Sequence, residues 1–136
     1  MKKEEIISKK SNKAIGPYSQ AVKFAGFIFV SGQIGLNPKT NELVGPDIKL
    51  QTRQALNNLK NVLEAGKSSF DNVIKVNVYL TNMDNFPVFN EIYAKYFNKP
   101  YPARATIGVN RLPKGALIEI ECIAFTKGGC CQSNCC

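Results

Sequence analysis

The chain of 136 residues contains no histidine, and only three of its 18 basic residues are arginines. Histidine is the side chain that most often acts as a general base or a metal ligand near neutral pH. Acid–base chemistry must therefore come from other side chains, carboxylates and tyrosines above all. No apolar run approaches the roughly 18 residues that a membrane-spanning helix needs, and residues 1–13 are polar and rich in lysine. These absences predict a cytoplasmic protein without a secretory leader.

Positive charge is abundant, with a formal net charge of +8 at pH 7. Clustered lysines bind phosphates independently of base sequence, so RNA binding is one open function. The lysines are nevertheless dispersed from Lys2 to Lys127, and no basic motif is interleaved with aromatic residues. This distribution favours an ordinary solvated surface over a nucleic-acid interface.

The five cysteines are distributed unevenly, because Cys122 stands alone and the other four fall within residues 130–136. We expect a single domain over residues 1–127 and a cysteine-rich tail over residues 128–136. A cytoplasmic location disfavours a disulfide framework. Three alternatives remain for the tail: a thiolate metal clip, lipid attachment at Cys135 and Cys136, or no chemistry at all. Membrane association is expected only if the tail carries a lipid.

Hydrophobic periodicity and turn residues predict the main elements. They are a hairpin through Ala25-Gly26, a helix over residues 48–65 between Asp47 and Gly66, a strand over 73–80, a second helix from Asp84 or Asn85, and strands over 104–109 and 117–125. In the second helix, Phe86, Phe89, Tyr93, Tyr96 and Phe97 form an aromatic stripe typical of core packing. This order predicts an α+β fold with one mixed sheet and both helices on the same face.

The period of two assigns side chains to the two faces of the sheet. In residues 73–80 it places Ile74, Val76, Val78 and Leu80 together, and in residues 27–35 it groups Phe27 and Phe29 with Ser31 and Gln33. In the last strand it directs Glu119 and Glu121 away from the helices. Phe27, Phe29, Ile123 and Phe125 would then face solvent, which predicts that the sheet packs against further copies of the chain.

Arg104 lies in the string YPARAT, where a lysine-rich chain uses a guanidinium. A guanidinium offers planar, paired donors that match a carboxylate, whereas a lysine supplies a mobile point charge. Arg104 shares a strand face with Thr106, and we expect that face to carry Glu119 as well. The residues therefore suggest a site with one anion clamp and one carboxylate. The competing interpretation is a cross-strand ion pair of Arg104 with Glu119 or Glu121.

The strings IGPYSQA, SGQIG, YPARAT and IEIE, with NPKT and RLPKG between them, follow one another over residues 15–126. In this order and spacing the chain resembles the RidA/YjgF family of reactive intermediate deaminases. The resemblance implies a chorismate-mutase-like homotrimer, with a single mixed six-stranded sheet in each subunit and active sites between subunits. It also implies hydrolysis of 2-iminobutanoate and 2-iminopropanoate to 2-oxo acids and ammonia, without a metal or an organic cofactor. An RNA-cleaving or translation-inhibiting protein of the same fold is the alternative.

The resemblance also assigns roles to individual residues. Arg104 corresponds to the carboxylate clamp and Glu119 to the carboxylate that orients the attacking water. Tyr18 is the pocket tyrosine, expected to act in catalysis through a hydrogen bond to the imine nitrogen or the departing ammonia. Further substrate contacts are implied for Ser31, Gly32, Asn90 and Thr106, the last at a position where many members have a cysteine. A thiol-based mechanism at that position is therefore in doubt. A side chain on Gly32 is expected to block the approach of the substrate to the backbone.

Overall fold

The computed structural model of the protein describes residues 1–126, which form six strands and two α-helices. The elements are β1 (Glu4–Ile6), β2 (Ala21–Phe24), β3 (Phe27–Ile34), α1 (Ile48–Ala65), β4 (Val73–Leu80), α2 (Phe86–Tyr93), β5 (Ala103–Gly108) and β6 (Ile118–Phe125). Short 3-10 helices cover Phe70–Asn72, Met83–Asn85 and Pro113–Gly115. The predicted lipid-attachment residues Cys135 and Cys136 lie outside the described residues, so their role stays a prediction.

The strands form one mixed sheet in the order β1-β2-β3-β6-β4-β5. Only the β4–β5 pair is parallel, and α2 supplies the crossover that a parallel pair requires. Helix α1 packs on β3, β6 and α2, and the inward side chains of sheet and helices form one core. The predicted α+β fold with a mixed six-stranded sheet and two helices is confirmed.

Helix α1 has the predicted bounds because its end signals are local. The Asp47 side chain accepts a hydrogen bond from the backbone N–H of Lys49 at 2.9 Å, which caps the first turn. Gly66 follows the last turn and donates its N–H to the carbonyl of Val62. The apolar stripe of the helix is fully buried at Leu56, Leu59, Val62 and Leu63. It anchors the helix to the sheet.

Helix α2 is shorter than its aromatic stripe, because it ends at Tyr93 and the chain continues in turns. Phe89, Tyr93 and Phe97 are nevertheless buried, and Phe86 and Tyr96 pack against the core. The prediction that the stripe belongs to the core is therefore confirmed. Three of these rings, those of Phe86, Phe89 and Tyr93, also contact Arg104, as described below.

Strand β1 is the strand that periodicity did not locate, because it lies in the polar lead. It has three residues, two of them glutamates, and only Ile6 is buried. Ile6 pairs with Ala21 at the edge of the sheet. A three-residue edge strand with a single inward side chain has no alternating pattern that a sequence could reveal.

Two bulges change the faces that strict alternation assigns. In β4 the register shifts between Val73 and Lys75, so Ile74 is 41% exposed instead of buried. In β3 it shifts between Val30 and Gln33, after which Gln33 pairs with Ile120 and Ile34 with Glu119. The predicted faces of β3 are therefore wrong beyond Val30, since a bulge inserts a residue that alternation does not count.

On the sheet face opposite the helices, one end carries apolar side chains that are partly exposed. Phe27, Phe29 and Phe125 are 42%, 46% and 40% exposed, and Ile123 is partly buried beside them. Cys122 points the other way and is buried in the core. Among residues 1–126 no helix combines the length and the apolar composition needed to cross a membrane.

Candidate active site

Glu119 lies in a cavity of about 150 Å³ that it shares with Tyr18 and Gly32. Asn58 of α1 forms another part of the wall, and its side-chain amide donates to the carbonyls of Ile34 and Leu36. These hydrogen bonds hold the end of β3 against helix α1, so this part of the cavity wall is fixed in position. Three of the predicted site residues are thus brought together within one chain.

Gly32 lies directly under the side chain of Glu119. A Cβ atom added to Gly32 would lie 2.7 Å from both Cδ and Oε1 of Glu119. No side chain can occupy that space while Glu119 keeps its position. In this structure the room left by the missing side chain is taken up by the carboxyl group of Glu119, and the role of Gly32 in substrate approach stays a prediction.

Ser31 ties the bulge of β3 to the segment that carries Tyr18. Its hydroxyl donates to the carbonyl of Ser19 at 2.6 Å, and its backbone N–H donates to the carbonyl of Gln20 at 3.0 Å. The hydroxyl proton is thereby committed to the protein, and a substrate could use only the oxygen as an acceptor. The Tyr18 side chain is itself 53% exposed, at the open rim of the cavity.

The carboxyl group of Glu119 is half-buried, and its pKa is raised above the ordinary value. Burial is the larger cause and the neighbouring charge of Glu121 is the second. Glu121 is held in place by the Tyr79 hydroxyl, which donates at 2.6 Å, and by the Asn77 amide, which donates at 3.1 Å. The bond to Glu121 in turn raises the pKa of Tyr79 to about 12. A carboxylate with a raised pKa is a stronger base than an exposed glutamate.

Arg104 does not lie on the sheet face that carries Glu119. In β5, Arg104 pairs with Val76 and Thr106 with Val78, and both valines are fully buried beneath the helices. Paired residues share a face, so Arg104 and Thr106 point to the helix side. Glu119 alternates with the buried Ile118 and Ile120 and points to the other side. The expected common face for Arg104 and Glu119 is therefore wrong within one chain.

The guanidinium of Arg104 rests on aromatic rings. Its Cζ lies 4.7 Å from the ring centroid of Tyr93, 5.5 Å from that of Phe89 and 5.6 Å from that of Phe86. Over residues 1–126 the only ion pair is that of Lys60 with Glu64. The alternative in which Arg104 is neutralised by Glu119 or Glu121 is therefore not observed, and no carboxylate of the described part of the chain pairs with this cation.

A second cavity, of about 440 Å³, opens at this arginine. Asn90, Tyr93 and Tyr101 line it together with Arg104, so the predicted contact Asn90 is near the clamp. Thr106 does not line it, and the Thr106 hydroxyl is buried without a hydrogen-bond partner among residues 1–126. The sequence offers no signal for the rings under Arg104, because an aromatic stripe on a helix most often belongs only to the core.

The described structure thus defines a class: a small α+β protein with an unpaired arginine in one cavity and a half-buried carboxylate in another. A family model described as Endoribonuclease L-PSP matches residues 8–126. The chain belongs to this family, which is the RidA/YjgF family. A RutC family protein of Pyrococcus horikoshii is 54% identical over 125 residues, with 92% of this chain and 99% of that protein covered.

Other relatives carry more specific names or have solved structures. A 2-iminobutanoate/2-iminopropanoate deaminase of Dermatophagoides farinae is 44% identical over 113 residues, covering 83% of this chain and 88% of that protein. The crystal structure of a Rid family protein of Yersinia pestis superimposes with a TM-score of 0.90 at 47% identity, covering 92% of this chain and 100% of that one. The fold and the family are therefore shared along nearly the whole described chain.

Proposed function

We propose that the protein hydrolyses 2-imino acids, such as 2-iminobutanoate and 2-iminopropanoate, to 2-oxo acids and ammonia. The observation that carries this proposal is the half-buried Glu119 beside Tyr18 and Gly32, in a chain without histidine. The deaminase names of relatives at 44% identity support the choice of substrate. More similar relatives carry only the name RutC family protein, so the particular imine is part of the proposal.

The chemistry needs little beyond positioning and a base. A protonated 2-imino acid has an electrophilic carbon next to a carboxylate, which Arg104 can bind through paired N–H donors. Glu119 accepts a proton from a water molecule as the water oxygen bonds to that carbon. The proton then passes from Glu119 to the nitrogen. As the C–N bond breaks and the C=O bond forms, Glu119 accepts the remaining hydroxyl proton and passes it to the departing ammonia, which leaves as ammonium. General-base assistance of this kind contributes about 100- to 10,000-fold.

The complete site requires two copies of the chain. Arg104 and Glu119 lie on opposite faces of one sheet, so a single copy cannot present both to one small substrate. The open face with Phe27, Phe29 and Phe125 offers the surface for association. We therefore propose the chorismate-mutase-like homotrimer, with Arg104 of one copy facing Glu119 of the next. A cytoplasmic location, next to the enzymes that generate imines, belongs to the same proposal.

The test is a coupled assay in which a pyridoxal-phosphate dehydratase generates the imine and ammonia release is followed. We expect the wild type to accelerate release, and Glu119→Gln and Arg104→Ala each to lose about 100-fold or more of that acceleration. Glu64→Gln, an exposed helix position, serves as the matched control. A wild-type rate equal to that of buffer would refute the proposal.

RNA binding is the second candidate, favoured by a lysine-lined groove next to the Glu119 cavity. Lys9, Lys10 and Lys39 line a groove of about 490 Å³. Lys9 and Lys13 line the adjoining one, whose wall at Asn12 continues into the Glu119 cavity. Neither groove has a carboxylate in its wall, so both concentrate positive potential.

This candidate predicts a salt-dependent affinity for single-stranded RNA. The combined Lys9→Gln, Lys10→Gln and Lys39→Gln variant should reduce both the affinity and the salt slope. Arg104→Ala should leave them unchanged. Absence of binding by the wild type near physiological salt would exclude this function.

A further inference from the structure

We propose that Tyr93 is the residue that positions the Arg104 guanidinium for a carboxylate, through the face of its ring. The inference rests on the proposed function, since it adds a residue to the carboxylate clamp of that site. Of the three rings under Arg104, that of Tyr93 is the nearest, at 4.7 Å from Cζ. A cation over a ring face at this distance is attracted by the negative face of the ring.

The arginine has few other restraints. It lies on β5, which has a neighbour on one side only, and no carboxylate among residues 1–126 is within ion-pair distance of it. A long side chain in this situation would ordinarily sample many rotamers. The aromatic contacts restrain the guanidinium without a carboxylate among residues 1–126, so N–H groups remain that can donate to a ligand. Paired N–H groups are the part of a guanidinium that binds a carboxylate.

Tyr93 is itself held rigidly enough to act as a platform. Only 6% of its surface is exposed, and its ring stacks on Phe97 at 4.3 Å between centroids with planes 26° apart. Phe89 packs against it at 5.4 Å. The order Phe97, Tyr93, Arg104 is thus a stack that begins in the core and ends at the cavity wall. Such support from rigid elements is what holds a binding group in one geometry.

Tyr93 could hold Arg104 through the face of its ring or through its hydroxyl group, and the surroundings of the hydroxyl help to distinguish these two possibilities. It is buried, and no hydrogen bond of ordinary geometry joins it to a partner among residues 1–126. Arg104 nevertheless lies close enough to offset part of the rise that burial causes in the pKa of Tyr93. A hydroxyl without a well-aligned partner contributes little stability, so Tyr93→Phe should fold as well as the wild type or better. If the ring face is what matters, Tyr93→Phe should also bind carboxylates as the wild type does.

The experiment measures binding of 2-oxobutanoate, the product of the proposed reaction, and of its neutral amide by isothermal titration calorimetry. We expect the wild type and Tyr93→Phe to prefer the carboxylate over the amide to the same degree, within twofold. In Tyr93→Met, which has similar volume but no ring, we expect the preference to fall about tenfold. Tyr96→Met is the matched control, since Tyr96 contacts Phe70 and not Arg104.

A Tyr93→Met variant that keeps the carboxylate preference would overturn the inference, and so would a Tyr93→Phe variant that loses it. If Tyr93→Met does not fold, NMR of the wild type decides the matter instead. The Nε–H proton of Arg104 should be shifted upfield by ring currents relative to those of Arg53 and Arg111, and an unshifted proton would contradict the stack. If the wild type binds no 2-oxobutanoate, the proposed function fails, while the proton shift still tests the contact.

Discussion

Gly32 and Glu119 occupy adjoining positions on β3 and β6, so close that a Cβ atom on Gly32 would lie 2.7 Å from Glu119 Oε1. The bulge of β3 brings Gly32 to this place, and the register beyond it pairs Ile34 with Glu119. The backbone of one strand therefore fixes where the carboxylate of the other can lie. This contact makes the position of the Glu119 carboxylate depend on the fold and not on the conformation of a flexible side chain alone.

The first prediction concerns Gly32→Ala. The new methyl group must push the Glu119 side chain aside, and because that side chain is not backbone, the cost in stability should be small, about 1 kcal/mol. The loss of activity should approach that of Glu119→Gln. In the assay described above, the double variant Gly32→Ala/Glu119→Gln should then be no worse than Glu119→Gln alone. Additive losses would mean that Gly32 acts independently of Glu119.

The second prediction concerns Glu121, whose charge helps to raise the pKa of Glu119. Glu121→Gln removes that charge while leaving an oxygen that can accept from Tyr79. The pKa of Glu119 should fall, so the acidic limb of the kcat/KM profile should move to lower pH, because the base must be deprotonated. The pKa of Tyr79 should also fall from about 12, as tyrosinate absorbance would show. An unmoved acidic limb would mean that a different group limits the rate.

The third prediction follows from linkage between protonation and folding. The pKa of Glu119 is higher in the folded chain than its ordinary value of 4.5. The folded state therefore binds more protons than the unfolded state above pH 4.5, and the contribution of Glu119 to stability falls as pH rises through its folded pKa. Glu119→Gln should raise Tm at pH 7 relative to the wild type, and the difference should vanish well below pH 4.5. A variant less stable at pH 7 would contradict this sign.

These properties differ in how far the sequence could predict them. Helix α1 was predictable to the residue because Asp47, Gly66 and the apolar stripe are local signals. The face of Arg104 was not, because it depends on the parallel pairing of Val76 with Arg104, which involves a distant segment. Periodicity correctly grouped Arg104 with Thr106 but placed the pair on the wrong side. Ile107, which alternation sets on the face opposite Arg104, is 47% exposed.

The candidate site shows the same distinction. Motif order pointed to Tyr18, Gly32 and Glu119, and these residues do share a cavity. The contact of the Tyr93 ring with Arg104 was not predictable, since in the sequence Tyr93 is indistinguishable from the other core positions of the helix. Only the packing of α2 over β5 makes its ring a platform for a cation.

The fourth prediction concerns Cys122. Burial is the main reason that the pKa of its thiol is raised to about 12, so almost no thiolate exists at pH 8. Because the thiolate is the nucleophile, iodoacetamide should not modify Cys122 in the native protein but should do so after unfolding in guanidinium. Peptide mapping by mass spectrometry measures the alkylation of Cys122 separately from that of the four cysteines within residues 130–136. Rapid native alkylation of Cys122 would show that the sheet opens at this strand.

The last prediction concerns the open sheet face and tests the assembly directly. Phe29 is 46% exposed on that face, so Phe29→Glu leaves the helix-side core of each copy intact. A carboxylate there would have to be buried between copies, which costs free energy even though Lys75 lines the same groove, and Glu121 in that groove repels it. We expect sedimentation to show that Phe29→Glu is monomeric, and circular dichroism to show that its secondary structure is unchanged. The control Met83→Glu, at a position before α2 with a similar exposure of 45%, should still assemble.

Because Arg104 and Glu119 lie on opposite faces of one sheet, the Phe29→Glu monomers should lack activity. Fully active monomers would mean that one chain completes the site alone.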